Sequence, residues 1–116
     1  MQIEIHGDNV VVTADLKSRI QQQLLTALGP LLERCVDVAH VRVHDSVDNG
    51  AGLKSCDILL TLLPSGGQAV SEVGAGAVTE VGASLEAAVE RAAQRAAVEV
   101  GRELERRGMA RFAFME

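Results

Sequence analysis

Apolar residues alternate with polar ones at the start of the chain, the pattern of a β-strand with one buried face. Two isoleucines share one side of the segment QIEIHG at 2–7, which ends at a glycine. The apolar residues that follow recur every three or four positions, which predicts a helix from Ala14 to Leu28 with Thr13 as its N-cap. The Gly-Pro pair at 29–30 is expected to end this helix, and LLERC leaves room for one more turn.

Two further strands follow this helix. The segment VDVAHVRVHDS at 36–46 places its apolar residues on one face and His40, Arg42 and His44 on the other. The segment LKSCDILLTLLP at 53–64 is almost continuously apolar, which predicts a central strand that a proline ends. DNGAG, between the two, has the composition of a turn.

A near-repeat, SEVGA at 71–75 and TEVGA at 79–83, stands before the last helix. It is consistent with a fourth strand and a glycine-rich hairpin, or with one strand and a loop. We expect a strand at about 68–73, with the second copy leading into the helix. The glycines at positions 74, 76 and 82 match no phosphate-binding spacing, so we interpret them as loop residues.

One long helix closes the pattern, from Leu85 to about Arg107, with Ser84 as its N-cap and Gly101 as its weakest interior position. The predicted order is therefore β-α-β-β-β-α. This order predicts an α+β fold, with two helices packed on one face of a four-stranded, mostly antiparallel sheet. We expect one domain over residues 1–107 and a C-terminal tail over 108–116.

Composition narrows the range of functions. The chain has 116 residues and a formal charge of −5, from 11 basic and 16 acidic residues, which argues against non-specific binding to nucleic acid or to an anionic membrane. With two phenylalanines and no other aromatic residue, base stacking on the sheet is not expected. The N-terminus has no signal-peptide pattern and no apolar run is long enough to span a membrane, so we expect a cytoplasmic protein with reduced cysteines.

Five of the eleven basic residues lie within ERAAQRAAVEVGRELERR at 90–107. At about 100° per residue, four of these arginines fall on one ridge of the last helix, apart from its apolar face. We call this set the arginine ridge: Arg91, Arg95, Arg102 and Arg106. Five glutamates on the same helix leave two interpretations open, a solvated surface with ion pairs or a site for an anionic partner.

No catalytic or metal site is predicted. His6, His40 and His44 have no third ligand at a suitable spacing, so we interpret them as surface residues. No nucleophile stands in a recognisable setting with a base, and no carboxylate pair suggests acid–base chemistry. We therefore expect no enzyme activity, no cofactor and no small-molecule substrate.

The order of elements and several local sequences resemble the short form of the ribosome hibernation-promoting factors. These are also called ribosome-associated inhibitor, ribosomal subunit interface or sigma-54 modulation proteins. The resemblance rests on MQIEIHGDNVVVTADLKSRI, VAHVRVHD, GLKSCDILLTLLPSG and SLEAAVERAAQRAAVEVGREL, which together span most of the chain. It implies the β-α-β-β-β-α fold and a non-catalytic translation inhibitor that occupies the small ribosomal subunit and contacts rRNA through basic side chains.

Carried onto this sequence, the resemblance assigns rRNA binding to the arginine ridge, with contributions from Lys17, Arg19, Arg42 and Lys54. The alternative is a protein-interaction module on the same fold without rRNA affinity. It would associate with itself or with another protein through a sheet edge or through the tail, which holds Phe112 and Phe114. For these two phenylalanines, packing back onto the core and docking on another subunit both remain open.

Overall fold

The computed structural model describes residues 1–46, 53–64, 71–79 and 84–106. Four strands and two helices follow one another in the predicted order, and the fold is α+β. The elements are β1 (Gln2–Asp8), α1 (Ala14–Glu33), β2 (Val36–Ser46), β3 (Leu53–Leu62), β4 (Ser71–Val78) and α2 (Leu85–Arg106). The predicted turn at 48–52 and the tail with Phe112 and Phe114 lie outside the described residues.

The strands form one sheet in the order β1-β2-β3-β4. β1 is parallel to β2, whereas β2–β3 and β3–β4 are antiparallel, so the sheet is mixed and mostly antiparallel as predicted. Ala39 is level with Ile3 on one side and Leu60 on the other. Because side chains alternate along a strand, this register places the apolar residues of all four strands on one face.

Both helices cover that face, and the core lies between the two layers. Leu24 of α1, Leu60 of β3 and Val100 of α2 are each fully buried. The buried side of α2 consists mainly of small residues, which lets the helix backbone lie close to the sheet: Ala88, Val89, Ala92, Ala93, Ala96, Val100, Gly101 and Leu104. Within the described residues, no helix is long and apolar enough to span a lipid bilayer.

The first helix starts and bends where the sequence predicts. The Thr13 side chain accepts a hydrogen bond of 3.1 Å from the Leu16 N–H, which is an N-cap. Gly29 has φ 74° and ψ 167°, so the regular helix ends there and Pro30 begins a further turn that continues to Glu33. A proline is well tolerated in the first turn of a helix because its missing N–H would have no partner there.

The fourth strand is confirmed at Ser71–Val78, but the predicted end at about 73 was wrong because the strand continues to Val78, and positions 68–70 lie outside the described residues. The interpretation of Gly74 and Gly76 as loop residues was wrong as well, because both lie inside this strand. The register explains this: Val73, Ala75 and Ala77 face the core opposite Leu60, Ile58 and Cys56, and the glycines fall on the opposite face. Glycine and alanine favour strands only weakly, so the local pattern gave little signal for β4.

The two helices run in the same direction. Near their N-terminal ends Arg19 of α1 pairs with Glu86 of α2, and near their C-terminal ends residues 27–32 line a groove with residues 97–105. β4 runs in the opposite direction beside α2, since the Ser71 Oγ lies 3.2 Å from the Glu103 Oε1 and Gly76 is level with Arg95. The exposed side of α2 therefore lies next to the edge of the sheet.

Candidate functional site

The arginine ridge lies on the solvent side of α2. All four of its arginines are exposed, whereas the alanines and valines on the opposite side of the helix are buried. Helical periodicity alone produces this separation, because residues spaced by three, four or seven positions share a face. The chain therefore presents these cations without any of them belonging to the core.

Three arginines of the ridge line one groove. Arg91, Arg95 and Arg102 face Gly74 and Gly76 across a groove of about 520 Å³ between α2 and β4. The two glycines contribute backbone to this groove, because their side-chain positions point to the opposite face of the sheet, toward Leu59 and Asp57. The groove thus combines guanidinium groups on one wall with strand backbone on the other.

One arginine already binds the strand. The Arg95 Nη1 donates a hydrogen bond of 2.6 Å to the carbonyl oxygen of Gly76. This bond satisfies a carbonyl that points away from β3, and it connects α2 with the outer edge of the sheet. Arg91, one turn earlier, has no ion-pair partner among the described residues.

Carboxylates partly neutralise the other half of the ridge. The Arg102 Nη1 lies 2.9 Å from the Glu99 Oε1, and the Arg106 Nε donates to the Glu103 Oε2 at 3.0 Å. Both pairs join residues three positions apart, which is favourable on a helix surface. The hydrogen bond to Glu103 and the charge of that carboxylate raise the pKa of Arg106. The ridge is therefore most available for an added anion near Arg91 and Arg95.

The two basic candidates of the first helix lie in different surroundings. Lys17 is exposed and has no ion-pair partner among the described residues. Arg19 is held between Asp15 of its own helix, at 3.3 Å, and Glu86 of α2. The hydrogen bond that Arg19 donates to Glu86 and the two carboxylate charges raise the pKa of Arg19. This side chain bridges the helices and is less available to a partner than Lys17.

The remaining two candidates are separated from the arginine ridge. Arg42 projects from the face of the sheet that the helices leave open, with its Nε 3.8 Å from the Asp8 Oδ2. Lys54 lies at the start of β3, where its backbone N–H and C=O both bond to the buried Thr79. The sheet itself stands between Arg42 and α2, so the eight predicted residues form no single patch.

The open face of the sheet carries the three histidine positions. The His40 Nδ1 lies 2.9 Å from the Glu4 Oε2, and His6 and His40 line a shallow groove with Arg42 and Asp57. Among the described residues, no group of three histidine, cysteine or carboxylate side chains is close enough to hold a metal ion. Cys35 and Cys56 are not joined to each other by a disulfide, and burial together with the charge of Asp57 raises the pKa of the Cys56 thiol to about 12.

Sequence reasoning missed the strand side of the groove. The sequence pattern predicts Gly74 and Gly76 as loop residues and gives no role to Gln94 and Val98, which lie beside the arginines in the lining on α2. The alternation of glycine and alanine at 74–77 was an available signal, because small residues at every second position leave one face of a strand open. The closeness of α2 to that strand is tertiary, and no local pattern contains it.

No protein-family model and no curated protein sequence matches this chain. Solved structures do share its fold. A ribosomal subunit interface protein from Coxiella burnetii is 16% identical, with a TM-score of 0.69 over 90% of this chain and 99% of that one. The N-terminal domain of Protein Y from Thermus thermophilus is 20% identical, with a TM-score of 0.61 over 89% of this chain and 99% of that one. The resemblance predicted from the sequence is confirmed at the level of the fold.

Proposed function

We propose that this protein is a non-catalytic, ribosome-associated factor that binds small-subunit rRNA and inhibits translation by occupying the subunit. The observation that carries the proposal is the exposure of Arg91, Arg95 and Arg102 along one groove of α2. The fold supports it, because a ribosomal subunit interface protein shares it over 90% of this chain. A ribosomal partner implies a cytoplasmic location.

The chemistry of the ridge suits an RNA backbone. Guanidinium groups are planar, always charged and able to donate two parallel hydrogen bonds to phosphate oxygens. Contacts to phosphate position a protein without reading sequence, as a structured RNA surface requires. An overall charge of −5 weakens long-range attraction, but screening limits each charge to about 8 Å at physiological salt, so a local ridge still acts at contact distance.

The proposal gives the candidates unequal weight. Arg91 and Arg95 are the primary contacts, because the carboxylates that pair with Arg102 and Arg106 must be displaced before those two bind phosphate. Lys17 contributes from α1, whereas Arg19 is held by two carboxylates. Arg42 and Lys54 lie away from the ridge and contribute less.

Co-sedimentation with purified 30S and 70S particles over a salt series tests this function. We expect salt-sensitive binding by the wild-type protein and its loss in a variant with all four ridge arginines changed to glutamine. Each phosphate contact removed lowers the slope of log affinity against log salt by about one. Circular dichroism and thermal unfolding of each variant confirm that the fold is retained.

A matched pair of single substitutions controls for net charge. Arg91→Gln and Arg34→Gln each remove one exposed cation, but Arg34 is the C-cap of α1 and lies outside the ridge. Arg91→Gln should weaken binding and Arg34→Gln should not. If the wild-type protein fails to bind near physiological salt, rRNA binding is wrong and the alternative of a protein-interaction module is favoured.

A further inference from the structure

The outer edge of β4 has unused hydrogen-bonding capacity. Among the described strands, β4 has a neighbour only on its β3 side. The Thr79 N–H donates to the Lys54 carbonyl at 2.8 Å, so odd-numbered residues of this segment direct their backbone groups toward β3. Gly74 and Gly76 alternate with them and face outward, which the bond from Arg95 to the Gly76 carbonyl confirms.

The space beside this edge is a groove lined by strand backbone and by side chains of α2. It lies between β4 and an antiparallel helix and holds about 520 Å³. An extended segment placed there pairs its backbone with Gly74 and Gly76 and turns every second side chain toward α2.

The charge of the groove identifies the kind of segment. Three arginines line it against a single carboxylate, Glu99, which is already paired with Arg102. Val98, 53% exposed, lies between Arg95 and Arg102 and adds a small apolar surface. A second copy of this chain would bring its own arginines to the same edge, and like charges brought together at an interface are costly. Carboxylate side chains complement the groove instead.

We propose that this groove binds an extended acidic segment of another protein, which pairs with β4 as an additional strand. On binding, the Arg95 guanidinium leaves the Gly76 carbonyl to a backbone N–H of the incoming segment and turns to one of its carboxylates. Arg91 and Arg102 hold further carboxylates along the helix. The bond from Arg95 thus protects the edge while the groove is empty, which is how sheet edges avoid unspecific pairing.

This inference does not depend on rRNA binding. Phosphates require only the guanidinium groups, whereas an added strand also requires the outward backbone groups of β4. A substitution in the strand backbone therefore separates the two activities, and the test contains no RNA.

The test is an NMR titration of the 15N-labelled chain with acetylated, amidated hexapeptides. One probe alternates glutamate with valine, and its control alternates lysine with valine. We expect the glutamate peptide to shift the amide signals of Gly74 and Gly76 and to slow their hydrogen exchange. The lysine peptide should leave both unchanged.

Two variants of one residue separate backbone pairing from general charge attraction. Gly74→Pro removes the outward N–H, and edge strands tolerate proline when that N–H faces away from the sheet. Gly74→Ala keeps the N–H, and its added Cβ meets nothing closer than the Leu59 Cδ1 at 3.9 Å. Binding should persist in Gly74→Ala and be lost in Gly74→Pro.

A third variant leaves the strand unchanged, so the test survives if the proline variant does not fold. Arg91→Gln combined with Arg102→Gln should weaken the glutamate peptide about fivefold or more, from the loss of two exposed charge pairs. The proposal is overturned if millimolar glutamate peptide leaves the Gly74 and Gly76 amides unshifted. It is also overturned if a folded Gly74→Pro variant binds as well as Gly74→Ala, or if the double arginine variant binds as well as the wild type.

Discussion

Arg95 on α2 donates its Nη1 hydrogen bond to the Gly76 carbonyl of β4, a residue that faces out of the sheet. The bond couples the proposed rRNA-binding side of the helix to the open edge of the sheet. It also distinguishes Arg95 from Arg91, which lies one turn away on the same groove and makes no ion pair among the described residues.

This difference should appear in stability. Arg95→Met keeps the length of the aliphatic chain but removes the donor, and it should lower the free energy of unfolding by about 0.5–1 kcal/mol, the lower part of the range for one hydrogen bond. Arg91→Met, its matched control, should change the free energy of unfolding by less than about half that amount. Urea denaturation of both variants measures the effect, and equal values would show that the Arg95 bond does not stabilise the fold.

The pair Glu99–Arg102 predicts a substitution that strengthens 30S binding, whereas substitutions of the ridge arginines weaken it. Glu99→Gln releases Arg102 and removes a charge that repels phosphate, so 30S binding should tighten about twofold to fivefold, as expected for one exposed charge pair. Glu90→Gln makes the same change in net charge at an exposed position that has no ion-pair partner in the described part of the chain. Co-sedimentation should show a smaller effect for Glu90→Gln, and equal effects would mean that only net charge matters.

The two glycines of β4 should respond differently to alanine. At Gly74 the added Cβ would make an ordinary contact with the Leu59 Cδ1 at 3.9 Å, and alanine should stabilise the strand by about 0.5–1 kcal/mol through reduced chain entropy. At Gly76 the Cβ would lie 2.6 Å from the Asp57 Oδ1, so the carboxylate must rotate away and that gain should be lost. Thermal unfolding measures both. In an Asp57→Ala background Gly76→Ala should recover the gain, and failure to do so would refute the steric explanation.

Gly29 presents a conformational requirement rather than a steric one. Its φ of 74° and ψ of 167° lie in a region that is essentially restricted to glycine, although no atom lies within 4 Å of an added Cβ. Gly29→Ala should therefore cost about 1–3 kcal/mol of stability. Gly74→Ala serves as the control with ordinary strand geometry. If Gly29→Ala loses little or no stability, the bend in α1 forms without a positive φ at position 29.

Cys56 predicts a pH dependence. Burial and, to a smaller extent, the charge of Asp57 raise the pKa of its thiol from 9.0 to about 12. The unfolded chain therefore loses this proton first, so stability is full below pH 9 and falls by up to about 1.4 kcal/mol per pH unit between 9 and 12. Urea unfolding at pH 8, 9.5 and 11 measures the decline. A Cys56→Ala variant, less stable at every pH, should show a shallower decline, and an unchanged slope would assign the effect to other groups.

Periodicity predicted the elements whose side chains alternate strongly. β2 was predicted at its observed bounds because branched apolar residues alternate with His40, Arg42 and His44, and the exposed arginines of α2 followed from the helical wheel. The end of β4 was predicted too early because alanine and glycine on its two faces differ little in polarity. The contact between Arg95 and Gly76 could not be predicted, since it depends on how α2 lies against the sheet.

The helix that carries the arginine ridge follows the other described elements in the chain, and it covers the core. Ala92, Ala96 and Val100 close over strands that would otherwise present Ile58 and Leu60 to solvent. During translation the sheet therefore lacks the cover that α2 provides until residues up to about 106 have left the exit tunnel. A nascent chain that stalls before that point has neither a closed core nor the arginine ridge, so the closing of the core and the proposed binding surface arise together.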